Sequence, residues 1–198
     1  MNNQFAEHIT KEDMRALPLL AFEGEIHVLD TEEDCVKAVN ELRKFDVLGF
    51  DTEKKPTFNK GEYNHTAMVQ LSTMDDAYLF RLNNMGYPAS LFDFMSDSSI
   101  LKLGISIDDD LKDLNRARKF KPKNFTDLND VVRELGVKHM GVKKLAAVFL
   151  ESRISKNQQV SNWEAEILSP QQQKYAATDA WICLAIYQKL KNQGYLKA

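Results

Sequence analysis

The sequence predicts an α/β layered domain in which helices pack on a mixed β-sheet. Three observations point to it: short apolar runs with strand-like alternation crowd the first half, helical periodicity separates them, and the second half is mainly helical. With 198 residues, 43% apolar and 28% charged, the chain can bury one substantial core, so a single domain over residues 1–198 is expected. No repeat at a fixed period and no low-complexity tract divides it.

Taken in order, EIHVLD (25–30) alternates apolar and polar side chains as a strand does. TEEDCVKAVNELRKF follows with Val36, Val39 and Leu42 at helical spacing and Thr31 as the cap. VLGFDTE (47–53) reads as a buried strand that ends in acid. TAMVQLST (66–73) and AYLFRL (77–82) flank Met74, Asp75 and Asp76, a connection of hairpin length, which makes the sheet mixed. LKLGIS (101–106) is a further strand feeding the helix DDDLKDLNRARKF, where Leu111 and Leu114 begin the apolar spacing, and FTDLNDVVRELG is expected to be a helix closed by Gly136. GVKKLAAVFL is a short helix and ESRISKNQQVSNWE a polar connection. Ser169, Pro170 and Gln172 then open the last helix with a capping-box pattern and proline at its first position, and the helix is expected to run to Gly194.

Cys35 and Cys183 lie far apart and form no CxxC, which indicates neither a zinc site nor a disulfide framework and fits a reducing interior. Apolar runs break well before the roughly 20 residues a membrane helix needs, and MNNQFAEHITKED has no basic-then-apolar signal pattern, so a cytoplasmic protein with no membrane association is expected. A formal charge of −3 argues against coating nucleic acid through a general positive field. It does not argue against local contact with phosphate, because bound divalent cations reverse the sign of an acidic pocket.

Fold class does not choose a function, so the case rests on acids placed where apolar residues belong. On a strand, Val47, Gly49, Asp51 and Glu53 point one way and Leu48, Phe50 and Thr52 the other, which sets two acids side by side. Like charges that close are unfavourable unless a cation sits between them or one takes up a proton; the alternative is that both lie past the strand end in water. On the last helix Tyr175, Asp179, Ile182, Ile186 and Leu190 fall within one arc, so Asp179 interrupts an apolar stripe. A carboxylate there must coordinate a metal, pair with a cation or go neutral, while Tyr175 on its own reads as a core aromatic. Asp108, Asp109 and Asp110 open a helix where acids suit the positive end of the dipole, and three exceed what a cap needs. Periodicity does not tell which of them points where.

Together GFDTE (49–53), KLGISIDDDLKDL (102–114) and SNWEAEILSPQQQKYAATDAW (161–181) resemble the DEDD exonuclease superfamily, in order and in approximate separation. The likeness is to its tyrosine-bearing branch, with ribonuclease D, the Werner-type exonuclease domain and the proofreading domains of some bacterial DNA polymerases. It spans about residues 25–193, leaves 1–24 as an N-terminal extension, and implies a ribonuclease H-like fold. It also implies that Asp51 and Glu53 form the first motif, Asp110, six positions after Gly104, the second, and Tyr175 with Asp179 the third. The implied activity is hydrolysis of phosphodiester bonds from the single-stranded 3′ end of RNA or DNA, releasing nucleoside 5′-monophosphates. Two divalent ions, Mg²⁺ or Mn²⁺, are the implied cofactors, held by Asp51, Glu53, Asp110 and Asp179. In the family's pattern Asp51 bridges both ions, Glu53 and Asp179 complete the shell of the one that activates water, Asp110 serves the other largely through water, and Tyr175 orients the attacking water. His8, His27, His65 and His139 are left without a role.

Ions roughly 3.5–4 Å apart clamp the attacking and leaving oxygens of an in-line displacement, and carboxylate oxygens are the ligands that suit them. Lys54, Lys55, Lys60, Lys143, Lys144, Arg153 and Lys156 are candidates for contacts to backbone phosphates, although scattered charges are more often solvated surface. Phe58, Tyr63 and Trp163 are candidates for stacking on terminal bases, with packing an equal reading for Trp163, and Asn162 is a candidate substrate contact. Two other functions stay open: a domain of the same fold that binds nucleic acid without cleaving it, and a phosphohydrolase of small nucleotides. A protein partner that supplies substrate choice is open as well.

Overall fold

A computed structural model describes residues 9–59, 61–138 and 141–196; His8, Lys60 and His139 lie outside them. Thr10 starts α1 (Lys11–Ala16): its hydroxyl accepts from the Asp13 amide at 3.0 Å and the Asp13 carboxylate accepts from the Thr10 amide at 3.3 Å. After β1 (Glu25–Leu29), α2 (Glu32–Leu42) begins at Thr31 as expected. Its buried face is Cys35, Ala38, Val39 and Leu42, and Val36 is exposed, because the more continuous i, i+3, i+4, i+7 stripe wins the contact with the sheet.

β2 (Val47–Lys54), β3 (Thr66–Ser72) and β4 (Asp76–Arg81) follow as an antiparallel run, and the Thr73 hydroxyl closes the β3–β4 turn by accepting from the Asp76 amide at 2.8 Å. Two short helices that periodicity does not mark, α3 (Leu82–Met85) and α4 (Ala89–Met95), come next. β5 (Leu101–Gly104) stops two residues short of the expected strand because Ser106, at φ 63, turns the chain into α5 (Asp108–Ala117). The helix expected to start at Phe125 starts later. Phe125 packs edge-on against Phe50 at 5.0 Å, residues 125–127 form β6 (Phe125–Asp127) parallel to β5, and Asp127 then caps α6 (Leu128–Glu134). α7 (Val142–Leu150) and α8 (Pro170–Asn192) complete the elements.

The six strands lie in the order β1-β4-β3-β2-β5-β6, a mixed sheet. α2, α4 and α5 pack on the face of Leu48, Phe50, Val69 and Leu71, while α6, α7 and α8 cover the opposite face with Met68, Leu79 and Leu103. Among the described residues no helix is long and apolar enough to cross a membrane.

Two features position a site. β2 pairs with β5 only over Val47–Gly49 but with β3 as far as Lys54, so the second half of the central strand runs past its parallel neighbour. Ligands of α/β sheets gather at such carboxyl ends. α8 is fixed at its start by the Ser169–Gln172 capping box with Pro170 at the first position, and by Arg81, which is 2% exposed and donates to the carbonyls of Ala165 and Glu166. It ends before Gly194, whose φ of 78 suits glycine.

Candidate active site

Asp51 and Glu53 stand on the β2 face that α8 covers. Gly49 on that face has no side chain to hold the helix off, so the backbone at Ala180 settles against the strand. The preceding residue, Asp179, then hangs over the strand end, 7% exposed. Carboxylate oxygens of Asp51, Glu53 and Asp179 all lie within 4.8 Å of one another. Asp179 has no salt-bridge partner among the described residues; Lys143 and Lys156 act on it through their charge alone.

Three acids in this space resist ionising together. Burial, then the charges of Asp179 and Asp110, hold Asp51 well above the ordinary carboxylate range. Burial, then Asp51, pushes Glu53 up to about 10. Burial raises Asp179 to about 7, against the pull of the Tyr175 hydroxyl that donates to it and of Lys143 and Lys156. The Tyr175 phenol is raised as well, by burial and then by Asp179, so it stays protonated and remains a donor. A hard divalent cation among these oxygens would take the place of the protons, and the donor set fits one. Cys183 also lines the cleft, but burial holds its thiol protonated and its Sγ donates to the Asp179 carbonyl at 3.4 Å.

Of the aspartate triplet, Asp108 and Asp109 are exposed, Asp109 pairing with Lys112 at 2.8 Å. Asp110 alone turns inward, accepting from the Thr52 hydroxyl at 2.5 Å. Thr52 points away from the α8 face, so Asp110 stands outside the close trio, and its charge still raises Asp51 and Glu53.

A cleft of about 940 Å³ opens over these acids, and Tyr175 lines it beside them. Lys143, Lys144, Arg153 and Lys156 reach the same cleft. So do Lys11 and Arg15, which were not among the candidates; the T-x-x-D pattern of Thr10 and Asp13 ahead of Met14 is the signal that marks their helix. Gln70 was also not anticipated. It faces Asp51 across the β2–β3 ladder, is wholly buried, and neither of its amide atoms has a hydrogen-bond partner. A polar residue inside the apolar run AMVQLS is the mark it leaves in the sequence.

The remaining candidates fall elsewhere. Trp163 is 0% exposed, in a core cluster with Met68, Leu79 and Leu168, its ring 5.9 Å from that of Tyr175, so stacking on a base is corrected to packing behind Tyr175. Lys54 pairs with Asp113 at 2.9 Å and Lys55 with Glu164 at 3.3 Å, and neither lines the cleft. Asn162 is exposed and accepts from the Glu164 amide at 3.2 Å. Phe58 and Tyr63, 82% and 47% exposed, lie on the β2–β3 connection outside the cleft lining.

The chain is similar to several known proteins. A family model described as 3′-5′ exonuclease matches residues 26–194. The bifunctional 3′-5′ exonuclease/ATP-dependent helicase WRN of Mus musculus is 33% identical over 188 residues, which is 90% of this chain and 13% of that protein. A 3′-5′ exonuclease of Arabidopsis thaliana is 31% identical over 195 residues, 95% of this chain and 63% of its own length. The chain thus spans less than two thirds of either relative. Among solved structures, the EXO domain of Aedes aegypti Nibbler superposes with a TM-score of 0.77 at 24% identity, covering 85% of this chain and 88% of that one. RNase D of Trypanosoma brucei in complex with RNA U12 gives 0.76 at 19% identity, covering 85% and 63%. These likenesses show the fold, which is ribonuclease H-like.

Proposed function

Because the chain belongs to the 3′-5′ exonuclease family, we propose that it hydrolyses phosphodiester bonds at the 3′ end of a nucleic acid strand and belongs to the tyrosine-bearing branch. The observation that carries this reading is the meeting of Asp51, Glu53 and Asp179, from a strand and a distant helix, within 4.8 Å at the floor of an open cleft.

Asp51, Glu53 and Asp179 would hold divalent cations, Mg²⁺ or Mn²⁺, with Asp110 placed to serve one of them from the Thr52 side. When bound, such cations polarise the phosphate and lower the pKa of an attacking water. Tyr175, kept protonated and already donating to Asp179, orients that water through its hydroxyl. Lys143 and Lys156, which line the same cleft and act on Asp179 through their charge, would steady the phosphate of the terminal nucleotide, which leaves as a nucleoside 5′-monophosphate. The exposed ring of Phe58, with Lys54, Lys55 and Asn162, offers contacts to the strand outside the cleft. With the carboxylate trio intact, a binding domain that does not cleave is the weaker reading.

The test is to incubate the wild type and Asp51→Asn with 5′-labelled RNA and DNA strands in Mg²⁺, Mn²⁺ or chelator. A ladder shortening from the 3′ end that needs both metal and Asp51 supports the proposal. Identical ladders from the two proteins, or none from the wild type on either strand, would sink it. Both strands belong in the test: one structural neighbour is an RNase D bound to RNA, and a protein tells RNA from DNA by its contacts to the 2′-hydroxyl.

A further inference from the structure

We infer that the segment from α1 to Leu20 is a wall of the substrate groove that grips the single strand leading into the cleft. It does so with Lys11 and Arg15 on phosphates and Leu19 against a base or sugar. The inference rests on the exonuclease reading and extends it to residues upstream of 26–194, the part the family model matches.

The wall is fixed to the site at two points. The Leu20 amide donates to the Arg153 carbonyl at 2.8 Å, the Arg153 amide donates to the Pro18 carbonyl at 2.9 Å, and the Arg153 guanidinium donates to the Leu17 carbonyl at 3.0 Å. Further on, the Phe22 amide donates to the Thr178 hydroxyl at 3.0 Å, one residue from Asp179, and the Phe22 ring packs 5.9 Å from that of Trp181. A segment held this way to both the 150s connection and α8 is part of the cleft and keeps a constant position relative to the acids.

Its exposed groups are the ones a nucleic acid strand uses. Lys11 and Arg15 are one turn apart on α1, both line the cleft, both are exposed, and neither forms an ion pair among the described residues. Leu19, 56% exposed, lines the same cleft although a leucine gains by burial. Positive charge, acids and an apolar side chain lining one cleft match a chain of phosphates whose terminal linkage sits at the acids while its bases need apolar contact. A mononucleotide ester would engage the floor and leave this wall unused, so the wall points to a strand of several nucleotides as the substrate.

The experiment compares wild type with Lys11→Ala/Arg15→Ala, since alanine keeps α1 helical, and with Leu19→Ser. Binding of a fluorescent single strand of about 12 nucleotides, within the range such grooves span, is read by anisotropy in Ca²⁺ across a salt series. The double variant is expected to bind roughly tenfold more weakly, with the slope of log K against log salt shallower by about 1.4, for two contacts at about 0.7 each. Leu19→Ser is expected to weaken binding with the slope unchanged. In hydrolysis, the preference for the long strand over a dinucleotide should fall about tenfold in the double variant. Wild-type affinity and slope in the double variant overturn the inference, as does an equal loss on both substrates. If the wild type hydrolyses neither strand, the exonuclease reading fails and the binding series still decides the wall.

Discussion

Gly49 and Ala180 approach so closely that a Cβ on Gly49 would lie 2.1 Å from the Ala180 carbonyl oxygen. No rotamer relieves a clash with backbone, so Gly49→Ala must lift α8 or unfold it. Overpacking of this kind costs about 1–3 kcal/mol, and an ångström of displacement at Asp179 is expected to lower turnover by about 100-fold. Thermal unfolding together with kcat measures both. A variant as stable and active as wild type would show that α8 has slack over β2.

Without metal, the raised acids make the fold sensitive to alkali. An acid whose folded pKa is raised keeps a proton that the unfolded chain has released, so raising pH favours unfolding until the folded group ionises. For Asp179 that window runs from 3.8 to about 7 and for Glu53 from 4.5 to about 10. In chelator, the melting temperature at about pH 8 is expected to lie below that at about pH 5, and excess Mg²⁺ or Mn²⁺ to close most of the gap. A gap untouched by metal would argue against cations among these oxygens.

Tyr175→Phe removes the donor to Asp179 while leaving the ring on Trp163. Turnover is expected to fall by about 10- to 100-fold with the metal requirement nearly unchanged. Because the hydroxyl lowers the Asp179 pKa, the acidic limb of the rate profile should also move to higher pH. Full activity would take Tyr175 out of the mechanism.

Lys102 titrates far from the cleft and offers an internal control. It is 0% exposed, its Nζ donates to the Asp97 carbonyl at 2.6 Å and lies 5.1 Å from the centre of the Phe125 ring, and burial lowers it to about 8. The unfolded chain then binds more protons between about pH 8 and 10.5, so stability should gain from this residue as pH rises through that range. Lys102→Met should abolish that gain and be more stable by about 1 kcal/mol below it. Urea midpoints across the range decide.

The acids on β2 and α8 were legible because period-2 and period-3.6 patterns fix which residues share a face, so Asp51, Glu53 and Asp179 stood out as charges on apolar faces. The Ser169–Gln172 cap was legible for the same local reason. Asp110 was not, since a left-handed Ser106 sets the direction of α5, and only the family resemblance selected it from the triplet. β6 was hidden because its three residues become a strand only by pairing with β5. Trp163 was ambiguous because its burial depends on Met68 and Leu79, contacts distant in sequence that no local pattern reports.

The span between Asp51 and Asp179 also dictates when the three acids can meet. Synthesis delivers Asp51 and Glu53 well before their third companion, which arrives only with α8. Until that helix docks over Gly49, a chain that already holds β2 carries Asp51 and Glu53 without the third acid that completes the trio.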